Sequence, residues 1–176
     1  MRSKKAFEEE RYFGLQKFNK PEEAFKVMEG IWGEINGDRD SNNLHILTDE
    51  TFEKAIISQA LEIYLNYKEG KKTQKEFETA FGMNDDITSE LFDFDFFLYS
   101  QKTNCYFTCR MTMKDDGVDI WNERQWGYFE ELWELYSLKS VILKAVNLAE
   151  DAIKRIGEYD RGGIFDIVCN EQGLFY

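Results

Sequence analysis

The amino-acid sequence predicts an α+β fold: a single domain over residues 1–176, with an antiparallel meander sheet of three to five strands packed by about five to six helices. Three observations carry this expectation. Apolar side chains alternate with a period of two from Leu91 to Met113, apolar residues recur at helical spacing through most of the remainder, and the two patterns are segregated along the chain.

In the sheet region, Phe92, Phe94, Phe96 and Leu98 share one side of an extended chain, and Asp93, Asp95, Phe97 and Tyr99 share the other. Ser100 to Asn104 is a polar connection of hairpin length, after which Cys105, Phe107, Cys109, Met111 and Met113 alternate with Tyr106, Thr108, Arg110 and Thr112. Lys114-Asp115-Asp116-Gly117 then supplies a turn, and Val118 to Trp121 reads as a third strand.

Taken from the start, residues 4 to 18 have loose helical spacing in Phe7, Tyr12 and Leu15. A firmer helix begins at Pro21, where a missing N–H does no harm, continues through the acids Glu22 and Glu23, and runs to about Ile35 before Asn36-Gly37-Asp38. Leu44 to Leu47 fits an edge strand or an extended lead-in. Thr48 or Asp49 caps a long helix through Tyr67 that Gly70 closes; its two apolar stripes imply burial on more than one side. Thr73-Gln74-Lys75-Glu76 has the form of a capping box, so a short helix is expected from Gln74 to Phe81.

Beyond the sheet, Asn122 to Gln125 can cap a helix bearing Trp126, Phe129, Trp133 and Tyr136. A bend at Ser137 leads into an amphipathic helix that ends at Ile156, stopped by Gly157. Ile164 to Cys169 reads as a last strand, and Leu174-Phe175-Tyr176 is expected to dock on a sheet edge.

Composition sets the outer limits. The chain is 43% hydrophobic and 16% aromatic, ample for a core that hides roughly 70% of the unfolded surface. It lacks an apolar run near the ~18 residues of a membrane span and begins without the apolar core of a secretory signal, so a cytoplasmic protein is expected. Three cysteines agree with a reducing compartment. Cys105 and Cys109 share a strand face roughly 13 Å apart, too far for a disulfide. His45, the lone histidine, has no neighbouring nucleophile to suggest a catalytic pair. Phosphate-loop, dinucleotide, esterase and zinc-protease motifs are missing from the sequence, and no cofactor is implied.

Two leads remain. Asp93 and Asp95, two apart on a strand, project together about 7 Å apart and with a third acid, Asp119 or Asp166, could hold Mg²⁺ for a nucleotidyl or phosphoryl transferase. The stronger lead is charge: 34 acids against 22 bases give a net charge of -12, which repels nucleic acid and anionic membranes and attracts basic proteins. Glu123, Glu130, Glu131 and Glu134 beside Trp126 and Trp133, together with Asp115 and Asp116 of the turn, form the expected partner-binding set. The expected function is that of a small acidic inhibitor or immunity-type protein, neutralising a basic partner such as a nuclease toxin or a DNA-binding defence enzyme. An accessory subunit of a larger assembly is a further alternative.

Overall fold

A computed structural model describes residues 14–34, 44–83, 90–110 and 123–174. Among these lie four strands and six helices, in the order β1 (Gly14–Phe18), α1 (Pro21–Glu34), β2 (Leu44–Leu47), α2 (Asp49–Glu69), α3 (Gln74–Met83), β3 (Asp95–Ser100), β4 (Cys105–Arg110), α4 (Glu123–Leu135), α5 (Leu138–Ile156) and α6 (Arg161–Gln172). The residues group into two compact units, 1–50 with 92–135 and 51–91 with 136–176.

The first unit holds the sheet, in the order β1-β4-β3-β2. The α+β class is as expected, but the sheet is mixed and is not a meander. The β3–β4 hairpin is antiparallel with Phe96 opposite Cys109 and Leu98 opposite Phe107. Its turn closes at Asn104, whose φ of 53° is the left-handed conformation that asparagine tolerates better than most residues. Tyr99 and Tyr106 face each other across the ladder, their rings 4.9 Å apart, and the Tyr99 hydroxyl donates to Asn104 Oδ1 at 2.7 Å. Turn and cross-strand pair thus fix one register.

Both neighbours of the hairpin depart from a meander. β2 runs parallel to β3, and residues 48–94, with α2 and α3, supply the crossover that parallel neighbours require. β1 pairs antiparallel with β4, Leu15 beside Cys109, where helical spacing had pointed to a helix. The backbone groups of Gly14–Phe18 complete the β4 ladder and Leu15 becomes fully buried, a tertiary gain that local periodicity cannot register. β3 also starts at Asp95, four residues later than the alternation begins. The expected third strand at Val118–Trp121 lies outside the described residues.

Register places Phe96, Leu98, Phe107, Cys109 and Leu15 on one face, and Phe97, Tyr106 and Phe18 on the other. Both faces are covered. α1 packs Ala24, Val27 and Met28 against Phe97, with Phe18 and Tyr106 at the margin. α4 lies along β1, and its Phe129 meets the ring of Phe92 at 5.2 Å. Cys109 is buried, and burial raises its thiol pKa well above the usual value, so it stays protonated.

The second unit is helical. α2 buries Phe52, Ile56, Ile57, Ala60, Leu61, Ile63, Tyr64 and Leu65, the two stripes expected of it. Thr73 Oγ1 accepts the Glu76 N–H at 3.1 Å and Glu76 Oε2 accepts the Thr73 N–H at 3.3 Å, so the capping box forms as expected at the start of α3. α5 keeps its expected bounds and ends at Gly157 with φ 89°.

The expected strand at Ile164–Cys169 is instead part of α6. That apolar run satisfies both periods: Ile164 and Val168, four apart, are buried as a helix requires. Packing against α5 selects the helix, and the exposed Arg155–Glu171 ion pair adds little to it. Leu174 is buried and its N–H donates to the Cys169 carbonyl at 2.9 Å, finishing α6 rather than starting a strand; Phe175 and Tyr176 lie outside the described residues.

A polar node links α2 to α5. Tyr64 donates its hydroxyl to Glu150 Oε1, and Lys68 Nζ reaches the same oxygen at 3.0 Å. Burial, then the hydrogen bond to Glu150, pushes the Tyr64 pKa up. For Glu150, burial acts upward but is outweighed by the hydrogen bonds from Tyr64 and Lys68, leaving its carboxyl below the ordinary value.

Two predictions follow from these contacts. Gly14 has φ 82°, and an added Cβ would lie 2.4 Å from the buried Gln125 side chain, so Gly14→Ala should cost about 1–3 kcal/mol in urea denaturation. Adding Gln125→Ala should relieve the clash but leave the backbone strain, so in a double-mutant cycle the two substitutions should cost less together than the sum of their separate costs.

At the polar node, the lowered Glu150 pKa means stability should be lost as pH falls below ~4.3 toward the folded value. Tyr64 ionises near ~10 in the unfolded chain but later in the folded one, so stability should also fall as pH climbs above ~10. Tyr64→Phe should shrink the alkaline loss, to which the raised Cys109 and Tyr159 also contribute, shrink the acid one and cost about 1–2 kcal/mol at neutral pH. Unchanged acid and alkaline limbs in the variant would assign the pH dependence elsewhere.

Candidate functional site

The candidate partner face is the outer side of α4. Phe129 and Leu132 turn inward and are buried, as is the side chain of Gln125. Trp126 and Trp133, seven residues apart, are half-buried on either side of Phe129, with ring centroids 5.5 and 5.6 Å from it. Glu123, Gly127, Glu130 and Glu134 follow at steps of four, three and four, which places them on one exposed stripe of a 3.6-residue helix. The tryptophans flank that stripe, so aromatic edges and carboxylates occupy adjoining faces.

The structure sorts the sequence-derived set. Glu123, Glu130 and Glu134 are exposed and share the stripe. Glu131 does not: it is half-buried on another side of the helix, where Lys17 Nζ of β1 donates to its Oε1 at 2.5 Å. That hydrogen bond is the main reason the Lys17 pKa is raised. Glu131 is therefore a tether of α4 to the sheet. Tyr136 also leaves the aromatic row, because the left-handed turn at Ser137 ends α4 and Tyr136 packs on Phe52 of the helical unit at 4.9 Å. Asp115 and Asp116 lie outside the described residues.

The alternative metal set takes a different form from the expected one. Asp93 is exposed and precedes β3, while Asp95 is its half-buried first residue, so the two are not successive same-face residues of one strand. Asp119 lies outside the described residues, and among the described residues no three His, Cys, Asp or Glu side chains are placed to share an ion. Nor is any helix among them long and apolar enough to cross a membrane.

Sequence reasoning missed Lys17 and Gly127. Lys17 meets Glu131 across 114 positions, a separation that leaves no local signal. Gly127 was legible as a helix-interior glycine, but that it faces open space was not: an added Cβ there would meet nothing within 4 Å. Comparison of the chain with protein-family models, with curated proteins and with solved structures finds no match.

Since neither sterics nor a positive φ requires glycine at 127, Gly127→Ala should stabilise the fold by about 0.5–1 kcal/mol through helix propensity. The urea midpoint should rise with an unchanged slope. A fall would show that the α4 surface is covered in solution.

Proposed function

We propose that this chain is a non-enzymatic acidic binding protein of the cytoplasm, an inhibitor or immunity-type protein that neutralises a basic partner such as a nuclease toxin or a DNA-binding defence enzyme. The observation that supports the reading is the α4 face, where exposed Glu123, Glu130 and Glu134 run beside the half-buried tryptophans Trp126 and Trp133. Carboxylates on a rigid helix act with the net charge of -12 to steer a cationic surface inward. Tryptophans already packed against Phe129 lose little further side-chain freedom on binding and offer flat apolar edges as anchors. A basic catalytic or DNA-binding groove needs that combination to be blocked, with charge for encounter and aromatic area for residence.

The test is capture of a partner from native lysate on the immobilised protein. Wild type should retain a basic protein at low salt and release it as ionic strength rises past ~0.1 M, where screening operates within ~10 Å. Combined Glu123→Lys, Glu130→Lys and Glu134→Lys should abolish retention. Trp126→Ala with Trp133→Ala should weaken it by roughly 2 kcal/mol or more. Failure of the wild-type chain to hold any basic protein, or retention indifferent to the charge reversals, would overturn the proposal.

A further inference from the structure

We propose that the open edge of β2 is a strand-addition site for an extended basic segment of the partner. The inference rests on the basic-partner reading above but uses a different surface of the sheet-bearing unit. β2 is the last strand of the sheet among the described residues, so one side of its backbone pairs with β3 and the other points away from the ladder. The opposite edge is defended. β1 carries Lys17, held by Glu131, and edge lysines discourage further pairing. β2, Leu44-His45-Ile46-Leu47, has no Lys, Glu, Asp or Pro to do the same.

Side chains mark the same edge. Ile46 is 69% exposed and Phe25 45% exposed, two of the three large exposed hydrophobic residues among those described. Both adjoin Phe97: Phe25 stacks on its ring at 4.4 Å, and Ile46 is its register partner on the parallel strand. The result is an apolar step on the α1 side of the sheet, at the strand that ends the sheet among the described residues.

Charge identifies the occupant. Glu22, one helical turn before Phe25, is exposed, and Asp95 shares the sheet face of Phe97; Lys26 is the cation next to Phe25. A net charge of -12 on each molecule opposes a second copy of this chain and favours a basic segment. That segment is extended, lays an apolar side chain over Ile46 and Phe25, and directs lysine or arginine toward the exposed Glu22.

The experiment uses the full chain and a short fluorescein-labelled peptide of alternating valine and lysine, followed by anisotropy at low salt. Saturable binding is expected, weakened by roughly tenfold or more in Phe25→Ser with Ile46→Asp. Phe25→Ser also removes the stack on Phe97, so the single variant Ile46→Asp, at a residue 69% exposed, is read beside it: it should stay folded by circular dichroism and still weaken peptide binding. The same peptide methylated on alternate backbone nitrogens, which cannot pair with a strand edge, should lose binding to a similar extent. Binding that survives the β2 substitutions or backbone methylation, absence of binding, or dimerisation of the free chain through β2 would each overturn strand addition. If the α4 charge reversals abolish peptide binding while the β2 variant retains it, strand addition fails and the α4 reading stands. Peptide binding lost with the β2 variant and kept with the α4 reversals supports strand addition whatever the outcome of the lysate capture.

Discussion

The sheet-bearing unit depends on one constraint: β3 is buried from both sides. Phe96, Phe97 and Leu98 are consecutive in a strand, point alternately to opposite faces, and are all buried. A strand of that kind cannot sit on a one-sided sheet. It requires an apolar cover on each face, and α1 supplies one while α4 lies along β1 on the Phe107 and Lys17 side. Burial of Phe97, Val27 and Met28 is worth roughly 1.5–3 kcal/mol each, against about 0–1 kcal/mol for a partly exposed ion pair such as Lys17–Glu131. Packing places the helices, and the ion pair refines the rotation of α4.

The candidate site inherits its geometry from that cover. Because Phe129 and Leu132 must face inward, the stripe of Glu123, Glu130 and Glu134 must face outward, and Trp126 and Trp133 fall at the boundary. The acidic stripe and the core-facing side chains thus occupy opposite sides of one helix, so the acidic side can change without loss of the fold. The edge at β2 has a different origin. Phe97 is large enough to be capped by Phe25, yet the strand beside it is the last of the sheet among the described residues, and Phe25 and Ile46 are exposed there.

In the helical unit, polar contacts tie elements that are distant in sequence. Glu150 gathers Tyr64 and Lys68, and Glu69 accepts from Tyr159 at 2.6 Å and Arg161 at 3.0 Å. Tyr159 lies in the turn between α5 and α6 and Arg161 opens α6, so the end of α2 touches that turn. Burial and the bond to Glu69 push the Tyr159 pKa up to about 12, and the Tyr159 and Arg161 hydrogen bonds hold the Glu69 carboxyl below its usual range. The Glu69 contact is exposed and therefore weak, unlike the Tyr64 contact, whose ring is buried.

Local chemistry alone determined the α+β class, the hairpin from β3 to β4, the capping box at Thr73 and Glu76, the bounds of α5 and the acidic face of α4. In each case the signal is a short-range one, a period of two or 3.6, a turn residue or a reciprocal cap, and the residues that cooperate are near neighbours. Tertiary structure decided the rest. Gly14–Phe18 became a strand because β4 offered an edge, and Ile164–Cys169 became helical because α5 offered a face. Leu44–Leu47 lay parallel to β3, and Glu131 was drawn away from the exposed acidic stripe to Lys17. These outcomes join residues tens to over a hundred positions apart, and no local pattern in the chain carries the free energy of a surface that exists only after folding.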